Sequence, residues 1–550
     1  MPLGPWSRSA VLGLLLLFPL GLKGAAPDPL PSPLASQRAR SLADDLFAIT
    51  SPLQIALNIP EEGITTLRLS RRSPTGEARP EADATVLEGG REYLNVTVRL
   101  KGFSSFQPID ARPSFTLHFD KHVSNQRFHG LAKVSLNNSA QDPTRLHEAL
   151  SREIFAAAGV PVPRATFAFV TLNGQALGLY VLTEGFDKRF LERHFARTDG
   201  NLYEGGLLQD ITSGLERDTG KNPQSDAAVE RLIDAARESD PQERFRALSA
   251  VLDLDRFLSM VAIETMLSHS DSYSMNRNNY RLYHDPATDR IVFMPHGMDR
   301  VLGTHRAALD LSIVPPRLGL VARALLSTAE GRRRYVDRVA ALLENVFRPD
   351  ALCRRVRELD GTTGLGNAPE VCARITTRAA ELEFQLANRA ALVELLPTPA
   401  FDAAGLARIV GWKPASKRGP PLASLSVVSR DGVDVLHLQT TASSRGTLVQ
   451  TRFSLPTGQY RIAGRVGVVG APPESDASSD STPLSVSLVR MAASRFGYER
   501  RSLGSGDIDV TFRVSDSMSP EEIELTFEVP GVMSEAWIDA SSLTLVTLDQ

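Results

Sequence analysis

The chain is short of cysteine, with only Cys353 and Cys372 among its 550 residues. That count excludes a disulfide-built scaffold. Without histidines beside them, two thiols cannot complete a tetrahedral metal site either. In an oxidising compartment they are expected to pair and clip two helices together, two buried free thiols being the alternative. Aromatic residues make up 6% of the chain and tryptophan occurs three times, so no ring platform for a sugar is evident near the C-terminus. An excess of charge of one sign is also missing: 61 Lys and Arg stand against 64 Asp and Glu, a net charge of -3. No basic field therefore marks a nucleic-acid partner, and nothing argues for a membrane surface. Beyond the N-terminal region no apolar run is long enough to span a bilayer, so no stable membrane span is expected.

What is present is an ordinary globular balance, 42% hydrophobic and 23% charged, in a chain too long for a single core. Arg8 precedes an apolar run over 10–22, followed by Ala25, Ala26 and a Pro-rich stretch. The run is short for a span and suits the h-region of a secretory signal, with an uncleaved anchor as the alternative. The expected order is a signal peptide over 1–26, a linker over 27–49, and a mature protein that is secreted, periplasmic or on the cell surface.

Alternation marks strands at Leu67-Arg68-Leu69, Val96-Thr97-Val98-Arg99-Leu100, Ser114 to Phe119 and Leu131 to Leu136. Asp142 as N-cap and Pro143 at the first helical position open a helix to about Ala158, closed by Gly159. A hairpin turns at Asn173-Gly174 between strands 165–172 and 177–183. Helices then dominate, interrupted by short strands at 279–283 and 291–294, and residues 310–397 read as mostly helical. From 400 onward, short strands punctuated by Gly, Pro, Ser and Asp suggest a β-sandwich, with 471–483 a long loop inside it. The fold class is α+β: a compact mixed domain over 50–305, which the motifs below compare with a kinase-like fold, a helical extension of it over 306–397, and an all-β sandwich over 400–550.

Strands, helix, hairpin, then helices is the order of a kinase small lobe entering a large lobe, a likeness that needs residues to carry it. On the helix at 143–158, Leu146, Leu150, Ile154 and Ala157 share one face; Glu153 lies at its edge and Glu148 points almost opposite. Lys133, on the preceding strand, is positioned to meet Glu153 as a phosphate-orienting ion pair, the alternative being a partly exposed Glu153 at the sheet rim. His269-Ser270-Asp271 and Asn276 reproduce the spacing H-x-D-x-x-x-x-N of a kinase catalytic loop. His296-Gly297-Met298-Asp299 follows an apolar strand, a place suited to a metal-binding Asp.

Four segments together resemble the spore coat protein H (CotH) kinase family: Gly130-Leu131-Ala132-Lys133 through Leu136-Asn137-Asn138 to Asp142-Pro143, Ala158-Gly159-Val160-Pro161-Val162-Pro163-Arg164, Asn173-Gly174 to Gly178-Leu179-Tyr180 and Glu184, and the acidic, Asn-rich stretch 271–299. The resemblance implies an atypical protein kinase that uses ATP and Mg²⁺ or Mn²⁺ on Ser or Thr of protein substrates. It makes Asp271 catalytic and Asp299 a metal ligand, with Asn276 and Asn279 competing for the second metal position. Lys133 and Glu153 would bind the nucleotide, and Glu184, at the hinge, would touch nucleotide or make a structural contact. Gly297 stands where relatives carry an additional acid, and Lys101-Gly102-Phe103-Ser104-Ser105 replaces the usual glycine-rich loop. Thr116 and His118 occupy positions where Lys or Arg is frequent.

Three functions compete. The first is an active phosphotransferase. The second is a retired kinase scaffold whose sandwich docks a carbohydrate or a surface protein. The third, a metal-dependent hydrolase built on His269, His284 and His296, is weaker because their spacing is not that of a ligand set.

Overall fold

The computed structural model describes residues 46–548 with breaks, the principal ones at 73–78, 305–307, 417–422, 441–446, 470–484, 491–498, 516–520 and 529–534. The expected signal segment, nearly all of the linker and the 471–483 loop lie outside the described residues.

The first unit is a closed barrel. Its strands are β1 (Leu53–Asn58), β2 (Glu81–Glu88), β3 (Arg91–Lys101), β4 (Ser114–His118), β5 (Lys133–Asn137), β6 (Ala165–Leu172) and β7 (Gln175–Glu184). They run in the order β1-β2-β3-β4-β5-β7-β6, and a parallel pairing of β1 with β6 closes the ring. Alternation explains the filling. Val96 and Val98, Phe115 and Leu117, and Val134 and Leu136 are buried in one core with Leu57, Tyr180 and Leu182. The opposite face of β5 presents Lys133, Ser135 and Asn137.

Two sequence expectations fail in this unit. Leu67-Arg68 belongs to a helix, α1 (Glu61–Arg68), not a strand. Pro60 precedes it, Glu61 and Glu62 occupy its first turn, and the buried Ile64 and Leu67 are three apart, so a three-residue alternation was too short to tell the two periods apart. The helix expected from Pro143 starts later, as α2 (His147–Ala157). Arg145 has φ +59°, which breaks the helical run, while the Asp142 carboxylate accepts the backbone N–H of Thr144 and of His147, each at 2.9 Å.

The second unit carries α3 (Lys188–His194), β8 (Leu202–Glu204), β9 (Glu216–Thr219), α4 (Pro223–Arg237), α5 (Pro241–Val251), α6 (Leu254–Met266), the short α7 (Tyr273–Asn276), β10 (Tyr280–Asp285), β11 (Arg290–Pro295), α8 (Leu320–Leu326), α9 (Ala329–Asn345), α10 (Pro349–Thr363) and α11 (Ala368–Leu386). The strands form a sheet in the order β11-β10-β8-β9. Helix α6 is buried along almost its whole length, with Asp253 capping its start by accepting Arg256 N–H. One hydrophobic core joins α2, α6 and the helices up to Leu382, so the helical stretch past 306 packs as part of the large lobe. Among the described residues no helix is long and apolar enough to cross a membrane.

Cys353 on α10 and Cys372 on α11 are free thiols, contrary to the expected disulfide. The Cys372 Sγ lies 3.7 Å from the Cys353 carbonyl oxygen. The two helices are held by apolar packing instead, through Val356, Leu359, Val371 and Ile375.

From Leu406 to Thr547 the chain forms three antiparallel sheets, and Leu438, Val449, Ile462, Val514, Leu525 and Leu545 bury a separate core.

Candidate functional site

The large-lobe half of the site is the turn after α6. Ser268, at φ +52°, reverses the chain, and His269 N–H donates to the Glu264 carbonyl. The His269 ring is fully buried, which lowers its pKa to about 4 and leaves it neutral. Its Nε2 lies 3.2 Å from the Gly297 carbonyl oxygen, joining the Asp271 loop to the turn that carries Asp299.

Asp271 collects both asparagines that competed for the metal. Asn276 Nδ2 donates to Asp271 Oδ1 at 2.8 Å. Asn279 Nδ2 donates to the Asp271 carbonyl at 2.8 Å and to Oδ2 at 3.1 Å. Left-handed backbone at Arg277 and Asn279 bends the chain so that both amides reach the same carboxylate. They differ at their oxygens. Asn276 Oδ1 is buried without a hydrogen-bond partner. Asn279 Oδ1 lies 2.3 Å from where a side-chain carbon on Gly297 would sit, and Gly297 itself has φ +61°. The glycine at the missing-acid position is therefore required by the asparagine packed over it.

Asp299 belongs to the same cleft. Burial, then the charge of Glu148 and, more weakly, that of Asp271, push its carboxyl up to about 7. The Asp299 carboxyl thus lies within reach of the charges of Glu148 on α2 and of Asp271 in the large lobe.

The small-lobe half departs from the sequence expectation. Glu153 is not paired with Lys133. It is exposed, and Arg355 on α10 holds both its oxygens at 2.8 Å. The inward acid is Glu148, because the Leu146, Leu150 and Ile154 stripe of α2 packs into the large-lobe core, leaving the adjoining face toward β5. Periodicity fixed which residues share a face but not which neighbour that face meets. Glu148 accepts from Asn137 Nδ2 and from Arg152 Nη2, each at 2.7 Å. Lys101 Nζ donates to Asn137 Oδ1 at 2.8 Å. The cation and acid are thus bridged by an amide. Burial, partly offset by Glu148, lowers the Lys101 ammonium to about 8. Next to it Gly102, at φ +97°, forms a turn so tight that a side-chain carbon would sit 2.6 Å from Ser105 Oγ.

Lys133 stands further along β5. Burial lowers its pKa, and the charges around it are Asp218, Arg281 and Glu204. Arg281 pairs with Glu204 at 2.6 Å and with Asp218. Glu184, expected at the nucleotide, is instead buried and shared by Arg193 and Arg164. Burial alone would raise its pKa, but the two guanidinium charges outweigh this and hold it low. With both oxygens so engaged, the structural alternative for Glu184 is the one that fits.

Lys101, Asn137, Glu148 and Arg281 were missed as site residues. Lys101 directly before Gly102 and Asn137 inside Leu136-Asn137-Asn138 were the available signals; Glu148 had none beyond being a carboxylate on the right helix.

Among the described residues no group of three or more His, Cys, Asp or Glu is arranged to hold a metal. The donors present are the Asp299 carboxylate and the unpartnered Asn276 oxygen. Mg²⁺ is commonly held by one or two carboxylates, with waters and phosphate oxygens completing its octahedron, and these donors fit that pattern. The hydrolase reading has no gathered histidines: His284 Nδ1 is bonded to Ser225 and its Nε2 to Asp289, each at 2.9 Å. That Ser–His–Asp order is not a nucleophile site, because Ser225 is fully buried and its Oγ accepts Asn201 N–H.

A β-rich lobe with a cation–amide–acid bridge, and a helical lobe with an Asp–Asn loop and a second Asp that feels the bridge's acid, define a kinase-like protein. Residues 98–379, just over half of the chain, match the model of the CotH kinase protein family, and the chain belongs to that family. It is 26% identical over 240 residues to the inner spore coat protein H of Bacillus subtilis strain 168, covering 40% of this chain and 64% of that protein. It is 24% identical over 253 residues to the invasin CotH3 of Rhizopus delemar, covering 41% of this chain and 42% of that one. The match thus spans less than two-thirds of either relative. A Helicobacter pylori proinflammatory kinase, CtkA, is similar at 8% identity and a TM-score of 0.26 over 51% of this chain and 92% of that one, too distant to define the fold.

Proposed function

We propose that this chain is an exported atypical protein kinase, transferring the γ-phosphoryl group of ATP to Ser or Thr hydroxyls of protein substrates with Mg²⁺ or Mn²⁺. The observation that carries the reading is the Asp271–Asn276–Asn279 loop with Asp299 near it, whose carboxyl feels Glu148 of the Lys101–Asn137–Glu148 bridge. Asp271, oriented by Asn276 and Asn279, accepts the proton of the attacking hydroxyl as its oxygen bonds to the γ-phosphorus and the bond to the leaving ADP oxygen breaks. Lys101 and Lys133 supply positive charge along the phosphates. Asp299 and the Asn276 oxygen would hold the cation, which neutralises phosphate charge when bound. His269 stays neutral and ties the two acid-bearing turns together. Export follows from the N-terminal apolar run, and the C-terminal sheets, read as a sandwich, would present a binding surface to carbohydrate or a surface protein.

The test is incubation of the purified protein with labelled ATP, Mg²⁺ or Mn²⁺ and a Ser/Thr-containing acceptor. Label should reach the acceptor with wild type and fall at least 100-fold, roughly the least contribution of a general acid–base group, in Asp271→Asn. Asp299→Asn should lose transfer and metal dependence together. A second reading, a scaffold without turnover that binds through its C-terminal sheets, is favoured by Gly297 in place of an acid. Nucleotide binding without any transfer would support it over the first.

A further inference from the structure

Behind the cleft, one serine of the catalytic loop is gripped at every polar atom it has. Ser274 lies on α7, between Asp271 and Asn276, and is fully buried. Helix α7 has Ser272 at its N-cap position, yet no side-chain cap bond is formed there. The missing bond comes from ten residues upstream: Glu264 Oε2, on α6, accepts Ser274 N–H at 3.2 Å. Arg317 Nη1 donates to Ser274 Oγ at 2.9 Å, and its Nη2 donates to Thr265 Oγ1 and to Tyr335 Oη, each at 2.8 Å. The Ser274 carbonyl accepts from Leu318 N–H at 2.9 Å and Gly319 N–H at 3.3 Å. Glu264 is 1% exposed and Arg317 5%, and burial raises the Glu264 pKa, so a carboxyl group and a guanidinium are both held away from water at these contacts.

A buried carboxylate costs stability unless its geometry is used. Apolar side chains would fill this space at lower cost, so the two buried polar side chains need a reason to be here. The residue two positions beyond Ser274 is Asn276, whose amide holds Asp271.

We propose that Glu264 and Arg317 are positioning residues for phosphotransfer: they lock the α7 turn from behind and thereby hold Asn276 against Asp271. Neither reaches the cleft. Both act through Ser274. The inference rests on the phosphotransfer reading, and its test separates the two.

The full-length protein is compared as wild type, Glu264→Gln, Glu264→Leu and Ser274→Ala, by steady-state transfer kinetics and by amide hydrogen exchange. Glu264→Gln keeps an acceptor for Ser274 N–H, so kcat should stay within about twofold of wild type. Glu264→Leu should lower kcat by about tenfold, equivalent to about 1.4 kcal/mol. Its KM for ATP should move less than kcat does, because Lys101, Lys133 and Asp299 are untouched while Asn276 is loosened. Exchange should speed up over 270–279 and nowhere else. Ser274→Ala should fall between the two in kcat. Should Glu264→Leu not fold, Glu264→Gln and Ser274→Ala still decide: wild-type kcat and exchange in Ser274→Ala would overturn the proposal. So would equal losses in Glu264→Gln and Glu264→Leu, or exchange over 270–279 unchanged in Glu264→Leu. If wild type transfers no label, the phosphotransfer reading fails, while faster exchange over 270–279 would still show the brace.

Discussion

At the scale of single residues, the two glutamates of α2 separate function from surface chemistry. Glu148 is buried between Asn137 and Arg152, whereas Glu153 meets Arg355 in the open. Exposed ion pairs contribute about 0.2–1 kcal/mol, so Glu153→Gln should shift stability by no more than that and leave transfer unchanged. Glu148→Gln should retain the fold but lose transfer at least tenfold, read in the same labelled-ATP assay. The opposite ranking would restore the Lys133–Glu153 pair expected from periodicity. Gly297 makes a second residue-scale case. Restoring the acid carried by relatives, Gly297→Asp, should lower activity, because the new side chain displaces Asn279 from Asp271 and strains a positive φ. Gain of activity in that variant would show that the turn can open to take a further acid.

At the scale of elements, the sequence was most readable where local chemistry decides. Asn173-Gly174 turns the β6–β7 hairpin with both residues at positive φ, and β10 and β11 fall where short apolar runs placed them. The loop Asp271 to Asn276 was also legible, since its spacing is itself the geometry. What stayed hidden depends on docking. The rotation of α2 is fixed by α6, more than 100 residues later, and Lys101 joins the site only because β3 and β5 both flank β4. Arg145 gave no sign that it would adopt a positive φ and delay the helix, since only Gly and, less often, Asn or Asp signal that conformation. The disulfide expectation rested on compartment and pairing arithmetic, and neither specifies whether two neighbouring thiols are joined.

At the scale of the molecule, Glu184 sits where the barrel hands over to the helical lobe, and two arginines neutralise it. Its pKa is held low in the fold, so its contribution to stability is present above the unfolded carboxylate pKa of about 4.3 and is lost as pH falls through the lower folded value. Glu184→Gln should therefore unfold at lower denaturant concentration near neutral pH. The loss should be about 3 kcal/mol, the low end for breaking a buried pair because both arginines still reach water. The variant should show a flatter stability profile below pH 4 than wild type, measured by denaturant melts. An unchanged acid limb would mean that the pair is not what joins the lobes.

The closure of the barrel has a practical corollary for anyone dividing this protein. The family match begins at residue 98, inside β3, but the ring is completed by β1 and β2, which come earlier. A fragment cut at that boundary would lose β1, β2 and residues 91–97 of β3, stripping the pairing partner from β6 and from what remains of β3 and leaving raw sheet edges that invite self-association. Such a fragment should aggregate on expression, while one beginning near residue 46 should remain monomeric on gel filtration. The stretch recognisable by descent is thus smaller than the stretch that must be inherited whole.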